Sequence, residues 1–213
     1  MTGPPFRIAR RWLAGAAMLG LAGCASLFVA APPAHLYRLT AVSDFPADLP
    51  RVSAQLVIDL PQAPAGIDTA RIALSRSPLS LDYYADSAWT DRVPALLQNA
   101  LLASFENSKA IAAVDRESSG LRADFILETE IRHFEAVYDQ TGAPPRVWAS
   151  VVVRLVALPQ RRIVAQTVFD QRVAAAAADI PAVIAAFDAA ADAVIGDIVR
   201  WTVADPALSR VRR

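Results

Sequence analysis

Between residues 51 and 173 the apolar side chains recur mostly at every second position, a period that buries one face of a β-strand and leaves the other polar. In Arg51 to Leu60, Val52, Ala54, Leu56, Ile58 and Leu60 share one face, and Arg51, Ser53, Gln55 and Asp59 the other. Ala70 to Ser75 and Leu79 to Ala85 repeat the pattern, with Ile72 and Leu74, then Leu79, Leu81 and Tyr83, facing inward; Arg76-Ser77-Pro78 makes them a hairpin. Ala123 to Tyr138 reads as a long strand with Phe125, Leu127 and Ile131 inward and Asp124, Glu128, Glu130 and Arg132 outward. Near His133 the apolar set becomes Phe134, Ala136 and Tyr138, which calls for a β-bulge. Val147 to Ala157 and Arg162 to Val173 form a second hairpin through Pro159-Gln160-Arg161, and short strands are expected at His35 to Thr40 and Ile111 to Val114.

Two segments change period. From Thr90 to Asn107 the residues Val93, Leu96, Leu97, Ala100, Leu101, Ser104 and Phe105 make one helical stripe, with Pro94 in the first turn where proline is tolerated. Asp179 is the expected N-cap of a longer helix, whose Ile180, Val183, Ile184, Phe187, Val194, Ile195, Ile198 and Val199 repeat at helical spacing to about Val203. Both helices need a surface on which to bury one face. The expected fold is therefore an α+β two-layer sandwich, a mostly antiparallel sheet covered by two long helices, with one domain from residue 35 to 204 and a basic C-terminal tail, 205–213, that frays. No repeat or second-domain boundary is visible.

The chemistry legible in the sequence is sparse. Lys and Arg number 21 and so do Asp and Glu, so no excess of positive charge draws in a nucleic-acid backbone. One cysteine and two histidines are too few for a zinc site, and eight glycines leave no phosphate-binding loop. There is no Gly-x-Ser-x-Gly elbow and no His-Glu-x-x-His. His133, outward beside Glu135, has the chemistry of a general base but no nucleophile in a recognisable constellation, so a solvated strand histidine is the reading preferred. Asp188, Asp192 and Asp197 lie on the polar face of the last helix, where such acids ordinarily keep a helix wetted rather than bind a cation. Tyr83, Tyr84 and Trp89 cluster where a strand passes into a helix. They either pack the core or anchor a partner. The alternation sets Tyr84 on the face opposite Leu81 and Tyr83, away from the expected helix layer.

The N-terminus is an address. Arg7, Arg10 and Arg11 precede an uncharged apolar stretch from Trp12 to Ala22, the length of a signal-peptide core. It ends in Leu21-Ala22-Gly23-Cys24, which resembles the lipobox of bacterial lipoproteins: cleavage between Gly23 and Cys24, then a covalent diacylglyceryl and N-acyl lipid on Cys24. No other cofactor is implied. The other readings are a buried core cysteine and a retained membrane helix over Trp12 to Ala31; Gly15, Gly20 and Gly23 weaken that helix and Pro32-Pro33 closes it. Loss of residues 1–23, with three arginines and no acid, leaves 18 basic against 21 acidic groups. Residues 25–34 form a short tether, and Ala25 after the cysteine implies, by resemblance to other lipoproteins, sorting to the periplasmic face of the outer membrane.

Leu79-Ser80-Leu81-Asp82-Tyr83-Tyr84, then Ala88-Trp89 and the helix Val93 to Phe105, resembles the ABC-type transport auxiliary lipoprotein family, the paraquat-inducible protein C group. Tyr37-Arg38-Leu39 and Arg71-Ile72 fit the same pattern, and the resemblance runs from about Ala34 to Val203. It implies a non-catalytic outer-membrane lipoprotein working beside a mammalian-cell-entry (MCE) domain protein, a permease and an ATPase in intermembrane lipid transport, with Tyr83, Tyr84 and Trp89 as candidate partner contacts. Thr90-Asp91-Arg92 after Trp89 departs from the family's small residue and acid. An envelope scaffold and a lipid-anchored hydrolase using His133 are the alternatives, and self-association stays open. If Cys24 carries the lipid, Cys24→Ala accumulates as an uncleaved precursor that no longer incorporates labelled fatty acid; unchanged labelling refutes the assignment.

Overall fold

A computed structural model describes residues 35–120, 122–139 and 142–211. Gly23, Cys24, the signal peptide and the tether lie outside the described residues. The strands are β1 (His35–Tyr37), β2 (Val52–Ile58), β3 (Arg71–Ser77), β4 (Ser80–Trp89), β5 (Ile111–Arg116), β6 (Phe125–Val137), β7 (Arg146–Ala157) and β8 (Arg162–Ala174). The helices are α1 (Val93–Ser108), α2 (Ile180–Ala204) and α3 (Pro206–Ser209). Pro94 occupies the first turn of α1, and Lys109 ends it in the left-handed conformation at φ 52°. Asp179 caps α2 as expected, its carboxylate accepting from Ala182 N at 2.9 Å.

The eight strands form one open, mixed sheet rather than a mostly antiparallel one. The long pairs β6–β7 and β7–β8, and the β3–β4 hairpin, are antiparallel. β1–β4, β2–β5, β2–β6 and β3–β6 are parallel. β6 organises the sheet: one edge carries β7 along its whole length, and the other is shared by β2 at Phe125–Leu127 and β3 at Ala136–Val137. The bulge falls where the alternation changes phase. Ile131 faces Val151 and His133 faces Ser150, which leaves Arg132 as the extra residue.

One core joins Leu56, Leu127, Ile131, Val151 and Val153 of the sheet to Leu97, Leu101 and Phe105 of α1 and to Phe187, Ile195 and Ile198 of α2. The opposite face carries a small apolar cluster of Val57, Ile126 and Val156. Three expectations fail at strand and chain ends. Leu60 is half exposed because β2 stops at Ile58. Leu79 is 98% exposed and Leu81 39% exposed, because the hairpin turns at Pro78-Leu79, one step later than expected, and Leu79 sits in the turn itself. The tail is not wholly frayed: Asp205 accepts from Ala207 N at 2.8 Å to start α3, and Leu208 is fully buried.

Segment 38–50 is tied to both long helices by side chains. Ser104 Oγ accepts from Val42 N at 3.0 Å, Asn107 Nδ2 donates to Val42 O at 2.9 Å, and Asp188 accepts from Thr40 N and Oγ1 at 2.8 and 2.9 Å. Asp188 is thus a structural acceptor rather than a merely wetted acid. Its neighbour Asp192 has Oδ1 buried without a partner, and burial, then the Asp188 charge, holds its pKa above the ordinary 3.8. An acid whose pKa rises on folding contributes most below its unfolded value and loses that contribution as pH climbs through the folded one. Asp192→Asn is therefore expected to raise Tm at pH 7, with the gain disappearing below about pH 3.8; a gain independent of pH contradicts the assignment.

Candidate functional site

The three aromatics of β4 occupy three different environments. Trp89 pairs with Tyr37 of β1 and is 1% exposed, edge-on to Phe187 at 5.3 Å and tilted against Phe134 at 6.0 Å. Phe134 and Phe187 are themselves 5.0 Å apart, so the three rings close a buried cluster between sheet and α2. Trp89 Nε1 is buried without an acceptor. As a direct partner anchor Trp89 is therefore corrected: it is core, with no surface to offer.

Tyr83 and Tyr84 are half-buried on opposite faces, as the alternation requires, but the faces are exchanged relative to expectation. Register sets Tyr83 beside Ala73, and sets Asp82, two residues before Tyr84, beside Leu74 and so in line with Ala136 of the core face. Tyr84 O–H shares a 2.9 Å hydrogen bond with Tyr138 O–H, and Arg76 lies 4.8 Å over the Tyr138 ring. Burial, then this hydrogen bond, pushes the Tyr84 phenol well above its ordinary pKa, so it stays protonated. Tyr83 donates to Gly66 O at 3.0 Å, with the Arg71 guanidinium 3.6 Å over its ring. Gly66 also makes room for Leu81: a Cβ there would stand 2.6 Å from Leu81 Cδ2.

One recess lies on the sheet face away from the core. It measures about 810 Å³ between the β3–β4 turn and the ends of β6 and β7, and Leu79, Leu81, His133, Glu135, Asp139 and Trp148 help to line it. The bulge in β6 brings His133 to this face. Its ring stacks on Trp148 with centroids 3.3 Å apart, and its Nδ1 is 2.8 Å from Glu135 Oε1. Glu135 Oε2 accepts from Phe134 N at 2.8 Å. Trp148 Nε1 donates to Asp170 Oδ2 at 2.8 Å, Arg172 lies 4.1 Å over the indole, and Arg146 pairs with Asp139. Trp148, Asp170 and Arg172 were missed as site residues, although the outward parity of Trp148 between Val147 and Ala149 was available to find it.

This arrangement suits non-covalent recognition. Ser75 Oγ donates to Ser77 O at 2.8 Å and Ser77 Oγ meets Ser80 Oγ at 3.0 Å, so these hydroxyls are engaged away from His133. Among the described residues no group of three or more His, Cys, Asp or Glu could hold a metal ion, and no helix is long and apolar enough to cross a membrane. What the face offers is a flat aromatic stack, an apolar rim at Leu79 and Leu81, and charges that largely pair among themselves.

The fold has its counterpart in a described class of proteins. The sequence model of the ABC-type transport auxiliary lipoprotein component family matches residues 37–199. The chain belongs to that family, which is one of auxiliary lipoproteins and is not defined by a catalysed reaction. The crystal structure of protein XCC0632 from Xanthomonas campestris is 30% identical with a TM-score of 0.75, over 80% of this chain and 95% of that one. The hypothetical protein CT253 of Chlamydia trachomatis shares the fold alone, at 11% identity and a TM-score of 0.50, over 71% and 96% of the two chains. The uncharacterized protein bll6063 of Bradyrhizobium diazoefficiens is 31% identical over 153 residues, 71% of this chain and 40% of that protein. The chain spans about two fifths of the length of that curated relative.

The two tryptophans give opposite outcomes on truncation. Trp89→Ala is expected to lower stability by about 3–5 kcal/mol and with it the abundance of the domain. Trp148→Ala, removing a ring stacked on the outer face, leaves the unfolding transition within about 1 kcal/mol of wild type. Denaturant titration of both variants decides; a mild Trp89→Ala excludes the core role.

Proposed function

We propose that this protein is a non-catalytic lipoprotein, anchored through Cys24 to the periplasmic face of the outer membrane, that docks the MCE-domain conduit of an ABC-type lipid transport system. Family membership across residues 37–199 carries this reading, because the match takes in the whole sheet from β2 to β8 and α1, and reaches most of the way along α2. The outer sheet face supports it: a stacked tryptophan with an apolar rim is the kind of surface that supplies interface hot spots. Partner contact then falls to Leu81, Trp148 and Arg172 rather than to Trp89, Tyr83 or Tyr84, whose polar atoms are buried or already bonded within the domain. His133 is a ring that stacks and pairs with Glu135, and no hydroxyl among the described residues is hydrogen-bonded to it. Hydrolysis of ATP belongs to another subunit.

Affinity capture of the tagged full-length protein from detergent-solubilised envelopes is the test. The wild type is expected to bring down an MCE-domain protein. Trp148→Ala weakens that binding by about 2 kcal/mol, roughly thirty-fold, at unchanged abundance. His133→Ala is expected to affect function no more than it affects capture, because its ring only supports the Trp148 stack. Capture of no MCE protein by the wild type rejects the docking reading; a null phenotype for folded His133→Ala that still captures the MCE protein supports the hydrolase instead.

A further inference from the structure

We infer that the tip of the β3–β4 hairpin is a second membrane contact, set against the same phospholipid surface that holds the Cys24 anchor. The inference rests on the lipoprotein reading above. The tip is built to hold its shape: Ser77 and Ser80 close the turn through their hydroxyls at 3.0 Å, and Ser75 Oγ donates to Ser77 O at 2.8 Å. In that turn Leu79 is 98% exposed, so the most projecting side chain is apolar and has no partner in the fold. Exposed Arg76 lies just before the turn, a cation at the level where lipid phosphates sit.

Chain direction selects lipid as the occupant. β1 runs parallel to β4 with His35 beside Ser87, so the polypeptide comes into β1 from the hairpin end of the sheet. Leu79 lies eight residues before Ser87, roughly 25 Å at strand rise. Residues 25–34 reach roughly 30–35 Å when extended, enough to bring an acylated Cys24 level with Leu79. At the far end of the sheet the β7–β8 turn presents Arg161, with Arg122 nearby and the half-exposed Ile163 just beyond. The almost fully exposed Leu79 at the end where the chain enters therefore sets the hairpin, rather than the β7–β8 turn, against lipid. A short tether leaves that tip little distance from the bilayer, and burial of Leu79 adds a second attachment to the acyl chains.

The full-length lipidated protein, reconstituted into phosphatidylethanolamine and phosphatidylglycerol vesicles, is probed with a thiol-reactive nitrobenzoxadiazole dye at Leu79→Cys, Leu81→Cys and, as the far-end reference, Ile163→Cys. An acylated Cys24 takes no dye, so the labelled wild type tests the anchor separately. At position 79 the dye is expected to emit to the blue of position 163 and to lose most of its emission when doxyl-labelled phospholipid is included; position 81 shows a smaller loss and position 163 none. Emission at 79 matching that at 163 overturns the inference. A blue shift at 79 that doxyl lipid does not quench also overturns it, by assigning the tip to protein contact. If wild-type Cys24 takes the dye, the anchor reading fails by itself; the probes are then moved into a Cys24→Ser background, where an unquenched position 79 on vesicle-bound protein still rejects the hairpin contact.

Discussion

A strand displays alternate side chains on alternate faces, so a single extra residue exchanges the two faces of everything that follows it. In β6 that residue is Arg132. Before it Phe125, Leu127 and Ile131 point into the core, and after it Phe134 and Ala136 do. Without the bulge Phe134 would leave the cluster with Trp89 and Phe187, and His133 and Glu135 would enter the core as a polar pair amid aliphatic side chains. The bulge thus serves both sides of the sheet at once: it completes the aromatic cluster that seats α2 and brings His133 over Trp148. Because β6 also carries β2, β3 and β7, its phase is transmitted to most of the sheet.

Elements whose period is strong and uninterrupted were legible in the sequence. The two long helices, the long hairpin, the bulge and the cap at Asp179 all follow from spacing and local hydrogen-bonding chemistry. Strand direction was not legible, because alternation is the same whichever way a neighbour runs, and β2 meets β5 and β6 only across long connections. Chain ends were the other failure. Apolar residues such as Leu60 and Leu79 continue the alternation past the point where the strand stops, so period alone assigns them to a core they never reach. Leu208 shows the reverse error: a basic tail hides one leucine that docks once Asp205 starts a new turn.

The site was legible only in outline. Aromatic clustering drew attention to β4, yet it could not distinguish Trp89, at the core end of the strand, from the outer face where Leu81 and the stacked ring of Trp148 line one recess. That distinction depends on which neighbours the sheet brings alongside. Trp148, Asp170 and Arg172 are far apart or on separate strands in sequence and meet only through the β7–β8 register, in which Trp148 faces Arg172 and Ser150 faces Asp170.

The electrostatics of the outer face bear on how docking there would work. His133 with the buried Glu135, Trp148 with Asp170, and Arg146 with Asp139 already satisfy one another within the domain, which leaves them little to offer a partner. A partner seated on the face would have few unpaired charges to complement, so attraction at long range would be weak and association slow by the standard of steered complexes. Favourable free energy would come instead from removing Leu81 and the Trp148–Arg172 stack from water, which acts only at contact. The proposed anchor, by confining the protein to one membrane, would compensate for that missing long-range attraction, since it would raise the local concentration of a short-range binding face without adding a contact. On the docking reading, the lipid anchor and the neutral stacked surface would be two halves of one solution.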